Sequence, residues 1–281
     1  MDIKINNRAL DVSLDNESTL GEVLAGLEQW LGNMGHRMSS LNIDGEHISA
    51  SMIDGIFSRD VDKIQCLEIQ TNAIAELMAA SLLNLLDDIN EYENLDFNAK
   101  SDFFNNWSKG ATAQFISIEI PDLYAFCVST FSNGSMLSET LISIAKEIQR
   151  EVNEPLKELT NLEPVLKDTC ERLENLPLDI QTGKDARAAQ SIQIFSAVTE
   201  KIFRIYRQLS MQGYFAESDE SLGTKISGFS GVLKELLEAY EKNDSVLVGD
   251  LTEYEASPKL NDLYYAILGN VKDKDITQGE I

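Results

Sequence analysis

The chain has 281 residues, 43% of them hydrophobic and 25% charged, and its 23 Lys and Arg against 47 Asp and Glu leave a net charge of −24. That hydrophobic content excludes wholesale disorder, and the length allows one large domain or two ordinary ones. So negative a surface repels phosphate backbones and anionic lipid, so neither nucleic-acid nor membrane-surface binding is expected, whereas basic partners are.

Asp2, Lys4 and Arg8 interrupt the first residues where a signal peptide would be apolar. No apolar run approaches the roughly 18–20 residues that span a bilayer. Cys66, Cys127 and Cys170 are far apart, without a CxxC pair, which suits reduced thiols rather than a disulfide frame. The expected location is the cytoplasm.

In chain order, Ile3 and Ile5 alternate with polar residues, Asn6-Asn7 offers a turn, and Leu10, Val12 and Leu14 alternate again, predicting a hairpin. Thr19 and Glu22 have capping-box spacing ahead of Val23, Leu24, Leu27, Trp30 and Leu31, which share a helical face, and Gly32 and Gly35 end that helix. Leu41 and Ile43 lead into Asp44-Gly45, a tight-turn signal, with Ile48 beyond, and a last strand runs through Ile64 and Ile69. This order of elements, with the stretch Leu41–Ile48, resembles the β-grasp fold of ubiquitin and the sulfur-carrier proteins. Those carriers end in a free Gly-Gly; here Gln70-Thr71-Asn72 stands in that place and the chain continues. The resemblance therefore implies a binding platform or cap rather than sulfur transfer or conjugation.

From Ile74 the hydrophobic period changes from two to about 3.6. Ile74, Leu77, Ser81, Leu85, Ile89 and Tyr92 line a first helix. Leu137 to Leu173 gives a long heptad-like stripe that Pro155 and Pro164 should divide. Ile192 to Leu209, Leu222 to Tyr240, and Val246 to Leu268 supply three more, the last including Val246, Leu247, Leu251 and Tyr254. Phe115–Ile120 alternates like a strand, but a lone strand has nothing to pair with, so it is read as a helix end or extended linker. The expected fold class is α+β: a β-grasp domain over 1–72, an all-α helical bundle over 73–271, and a polar tail over 272–281. Leu178–Ala188 and Asn243–Glu255 of the body resemble a helical domain of unknown function found in bacterial proteins. The second of these segments is also loosely similar to helical secretion chaperones of the flagellar type.

Two segments share the pattern Asp-apolar-x-Glu-Tyr-Glu, at Asp88 and at Asp250. On helices, Asp88 with Glu91 and Asp250 with Glu253 sit one turn apart, so four carboxylates could bind a metal if the helices faced each other. Such sites also use histidine, and the chain has only His36 and His47, both in the head; charged helix ends with a half-buried Tyr are the competing explanation. Lys184, Arg187, Lys201, Arg204 and Arg207 form a basic strip that either receives an acidic group or neutralises acidic helices of the same bundle. Gln181–Asp185 superficially resembles the end of a phosphate-binding loop, but it lacks the upstream glycine and reads as a turn before a helix. Cys127 sits in an apolar run and reads as core. Met34, Met38, Met52 and Phe57 read as core or loop anchors, with an adhesive surface as the rival reading.

No catalytic residue and no cofactor is assigned. The sequence favours a non-enzymatic protein-interaction module, an adaptor or chaperone-like binder of basic or amphipathic segments. A metal-dependent enzyme using the body's carboxylates is the alternative, and a homo-oligomer through residues 136–176 is a third reading.

Overall fold

The computed structural model describes residues 1–11, 17–49, 52–133, 138–215 and 220–278. A five-stranded sheet comes first, followed by helices alone. By internal contacts the chain divides into two compact units, 1–149 and 150–281. Each is described by itself.

In the first unit, β1 (Asp2–Ile5) turns into β2 (Arg8–Leu10) through Asn6 and Asn7, both left-handed at φ 49° and 65°. Two consecutive positive φ angles make the type I′ turn that matches strand twist, and Asn tolerates them best after Gly. The sequence placed Val12 and Leu14 on this strand; both lie outside the described residues. Helix α1 (Leu20–Asn33) opens on a complete capping box: Glu22 Oε2 accepts from the Thr19 and Ser18 amides at 3.0 and 2.8 Å, and Thr19 Oγ1 accepts from the Glu22 amide. Its buried face carries Leu20, Val23, Leu24, Leu27 and Leu31, while Trp30, expected on that face, is exposed. Gly35, at φ 72°, turns the chain from the helix into β3 (His36–Ile43). Asp44 and Gly45, again both at positive φ, connect to β4 (Glu46–His47). A short helix α2 (Ile53–Ile56) and a 3₁₀ turn (Val61–Lys63) precede β5 (Cys66–Ala73).

The sheet order is β2-β1-β5-β3-β4, with β1 and β5 parallel and all other pairs antiparallel. Putting the last strand in the centre places Leu67 and Ile69 at the bottom of the core, fully buried together with Leu20.

Helix α3 (Ile74–Asn94) follows β5 directly. Its buried face is Ile74, Met78, Leu82, Leu85, Ile89 and Tyr92, with Met78 and Leu82 where the sequence suggested Leu77 and Ser81. Helices α4 (Phe97–Trp107), α5 (Ala111–Glu119), α6 (Pro121–Asn133) and α7 (Ser138–Asn153) complete the set, the division between units falling within α7. The alternating stretch Phe115–Ile120 is helical through Glu119. With α3 and α6 to pack on, Ile116 becomes fully buried and Ile118 exposed, so tertiary burial overrides the strand-like rhythm. Arg37 of β3 ties this helix to the sheet, donating from Nη2 to the buried Glu119 carboxylate at 2.5 Å.

In the second unit Pro155 and Pro164 divide the long stripe as expected, each at the first turn of a new helix: α8 (Pro155–Asn161) and α9 (Glu163–Gln181). Then come α10 (Asp185–Met211), α11 (Glu220–Glu241), α12 (Ser245–Leu251), a π-helical turn (Thr252–Ala256) and α13 (Ser257–Gln278). Leu137, at the start of the stripe, lies outside the described residues, whereas Leu159, Leu166 and Leu173 are fully buried in this unit's own core with Ile202, Phe229 and Tyr264. Gly249 lets α12 sit directly on α9, because a Cβ there would meet Pro177 at 3.2 Å. The backbone of α13 is helical as far as Gln278, into the segment expected to be a polar tail.

Replacing Thr19 with Ala should cost about 1 kcal/mol of unfolding free energy, measurable by urea denaturation. Backbone donors to Glu22 hold its carboxyl below the ordinary range. A depressed folded pKa stabilises above the unfolded value and loses that contribution as pH falls through the folded one. The deficit of Glu22→Gln should therefore be complete at neutral pH and shrink in acid.

Candidate functional site

The basic strip is organised by α10. At its N-terminal end, Lys184 and Arg187 approach Asp179 of α9 at 3.5 and 2.9 Å, and the Asp179 side chain is only 3% exposed. About five turns further on, Arg204 donates from Nε and Nη2 to the two oxygens of Glu151, at 2.8 and 2.9 Å. Lys201 donates to Glu158 at 3.1 Å and stands 3.8 Å from Glu151, while Arg150 approaches Glu158 at 3.7 Å. Arg207 is engaged as well. These contacts support internal neutralisation of acidic helices over receipt of an external anion. A two-pronged Arg–carboxylate bond is strong and geometrically selective, and Glu151 is almost fully buried.

The acidic repeats belong to different units: Asp88 and Glu91 to α3 of the first, Asp250 to α12 and Glu253 to the π-turn of the second. Asp88 accepts a hydrogen bond from Trp107 Nε1 at 3.0 Å, and its carboxyl is pushed up by burial, with Glu91 and Asp87 adding repulsion. Tyr254, mostly exposed, has its hydroxyl pushed up by its bond to Glu253. Among the described residues, no group of three or more His, Cys, Asp or Glu could hold a metal ion.

The phosphate-loop likeness resolves into a helix–turn–helix junction. Thr182 caps α9, Gly183 turns at φ 68°, and α10 begins at Asp185. Cys127 is fully buried, and burial pushes its thiol up to about 12, which leaves no thiolate at neutral pH. His47 contacts Asn42 near one end of β3, and His36 opens the other end.

What sequence reasoning did not locate is which helices line a groove. In the second unit a cavity of about 600 Å³ opens between α9, α10 and the α11–α12 junction. Its walls are Leu176, Ile180, Ala188, Ala189, Ile192, Tyr240 and Val248, with Asp185, Gln193, Asn243 and Ser245 supplying polar atoms. Val246, Leu247 and Tyr254 were assigned to the core by periodicity; they are 72%, 42% and 66% exposed, as are Leu237 (59%) and Tyr240 (66%). Val248 and Leu251 fill the core instead. The available signal was the turn Lys242-Asn243-Asp244, which rotates α12 relative to α11: Asn243 is left-handed at φ 54°, and Asp244 Oδ1 caps α12 by accepting from the Leu247 amide.

Comparison with known proteins fits this division. Residues 1–73 match the family model described as the TP0873 N-terminal domain, and residues 157–265 match one described as a domain of unknown function (DUF8042). An uncharacterized protein of Treponema pallidum (strain Nichols) is 23% identical over 277 residues, covering 95% of this chain and 96% of that protein. No solved structure matches. Among the described residues, no helix is long and apolar enough to cross a membrane.

Two outcomes are expected. Arg204→Ala should cost about 3 kcal/mol in chemical denaturation, and a double-mutant cycle with Glu151→Ala should return most of that as coupling. Asp88 favours its protonated form in the fold, so its contribution is present in acid and lost as pH rises through the raised pKa. Asp88→Asn, which keeps an acceptor for Trp107, should therefore gain stability relative to the parent as pH rises from 4 towards 7, read from paired melting curves.

Proposed function

We propose that the chain is a non-enzymatic interaction module of the cytoplasm, an adaptor or chaperone-like binder, whose helical groove receives an amphipathic helical segment with basic residues at its edges. The observation that carries this reading is the groove between α9, α10 and the α11–α12 junction. Both segments through which the body resembles a bacterial helical domain, Leu178–Ala188 and Asn243–Glu255, contribute to its walls. Apolar walls at helical spacing with large apolar residues exposed beside them are what helix-in-groove recognition uses.

Charge supports the partner's chemistry. Asp185 lines the groove. Lys184 and Arg187, its nearest cationic neighbours in sequence, are directed to Asp179, and Lys242 at the other side approaches Glu238 at 3.6 Å. Asp185 thus stands at the groove as a carboxylate on a chain whose net charge is −24. The head supports a platform role: its strand order, with a parallel central pair and one helix across it, is compatible with a β-grasp fold, and its chain continues straight into α3 rather than ending in a reactive tail.

The test is affinity capture from native cell extract using the full chain and the variant Ala189→Arg, which adds bulk and positive charge to an exposed groove position without touching the core. A partner retained by the parent, weakened at high salt and lost by about tenfold or more with the variant is expected. A partner bound equally by both would move the interface elsewhere, and absence of any partner would remove the adaptor reading.

A further inference from the structure

The head contains a second, unrelated opening. Strand β3 runs His36–Ile43, yet β4 pairs only with Asn42 and Ile43. The Leu41 carbonyl accepts from the Ile48 amide at 2.9 Å, and among the described residues no strand pairs with His36–Ser40 on the side away from β5, along which the β5 register shifts between Met38 and Ser40. Beside that open edge lies a cavity of about 540 Å³ between β3 and α1, walled by Leu24, Met38, Leu41, Ile48 and Phe57, with Ala25 and Glu28 at its lip. Phe57 is held there by the glycine opposite: the Gly21 amide donates to the Phe57 carbonyl at 2.9 Å, and a Cβ on residue 21 would come within 3.2 Å of Phe57 Cβ. Met38 and Phe57, expected as core or loop anchors, thus line an open groove, and Phe57 is 42% exposed.

An unpaired strand edge offers its backbone donors and acceptors only to another extended chain. A strand laid on it places every second side chain over the sheet face, where the apolar walls are. The lip carries one carboxylate: Glu28 is 56% exposed, and Arg37, which approaches it at 3.6 Å, bonds more closely to Glu119. We infer that the β3 edge and the adjoining α1 groove form a strand-addition site for an extended partner segment of alternating apolar side chains flanked by Lys or Arg. The site is independent of the helical groove and takes a different backbone conformation.

The test uses a phage-displayed library of random dodecapeptides selected on the full chain. Enriched sequences should alternate Ile, Val, Leu or Phe with polar residues and carry a basic flank. As synthetic peptides they should lose affinity by about tenfold for Ala25→Arg, an exposed helical position whose substitution should not shift the melting curve, and lose it equally when a central residue is replaced by Pro. Glu28→Gln should weaken them about threefold and flatten their salt dependence. Selection that yields no enriched peptide, or only peptides bound unchanged by Ala25→Arg, overturns the site. Peptides that respond to Ala189→Arg instead belong to the helical groove and count against this one.

Discussion

Three carboxylates in the second unit are almost removed from water, Glu151 at 1%, Glu158 at 11% and Asp179 at 3% side-chain exposure, and α10 answers all of them. A carboxylate in that setting without a cation costs several kcal/mol, so the helix must present Lys184 and Arg187 to one site and Lys201 and Arg204 to the other at the same time. Those positions span roughly 30 Å of helix. Both ends can be satisfied in one axial and rotational setting only: sliding α10 by a turn would strand at least two buried charges. The apolar stripe of Phe195, Val198, Ile202, Ile205 and Leu209 would tolerate such a slip far better, since dispersion and burial are not directional. The ion pairs thus specify register, and register fixes where Ala188, Ala189 and Ile192 form the groove wall.

The same arrangement bears on the exterior. Each cation that pairs with Glu151, Glu158 or Asp179 meets a carboxylate that is itself buried, so these pairs leave the chain's excess of negative charge at the surface. Under the proposed function, a segment that brings its own positive charge would be favoured by such a surface through encounter rate and misfit of rivals, more than through raw affinity.

Much of the fold was legible because it rests on local chemistry. The Asn6-Asn7 and Asp44-Gly45 turns, the Thr19–Glu22 box and the helix starts at Pro155 and Pro164 are each dictated within a few residues, and all stand where the sequence put them. What was not legible depends on the third dimension. The strand-like rhythm of Phe115–Ile120 became helix because α3 and α6 bury Ile116, which no local rule encodes. Trp30, Tyr240, Val246 and Tyr254 carry the correct period and face water. A candidate metal pair at Asp88 and Asp250 was suggested by repetition alone. Trp107, nineteen residues from Asp88, was needed to show what that carboxylate does.

Periodicity marks which residues share a face, but it cannot say whether the chain itself covers that face. Along α11 the stripe Leu222, Phe229 and Leu236 is buried, while Leu237 and Tyr240 at its end stay exposed, and Val246 and Leu247 resume the exposure immediately after the turn. Leaving these four large apolar side chains in water near one junction carries a cost of about 25 cal/mol for each Å² kept exposed, in solubility as well as stability. Polar residues at those four positions would fold as well, because none of the four belongs to the buried core. On the reading proposed above, the apolar face of a partner segment would supply that last layer, on the same physical grounds that build a core.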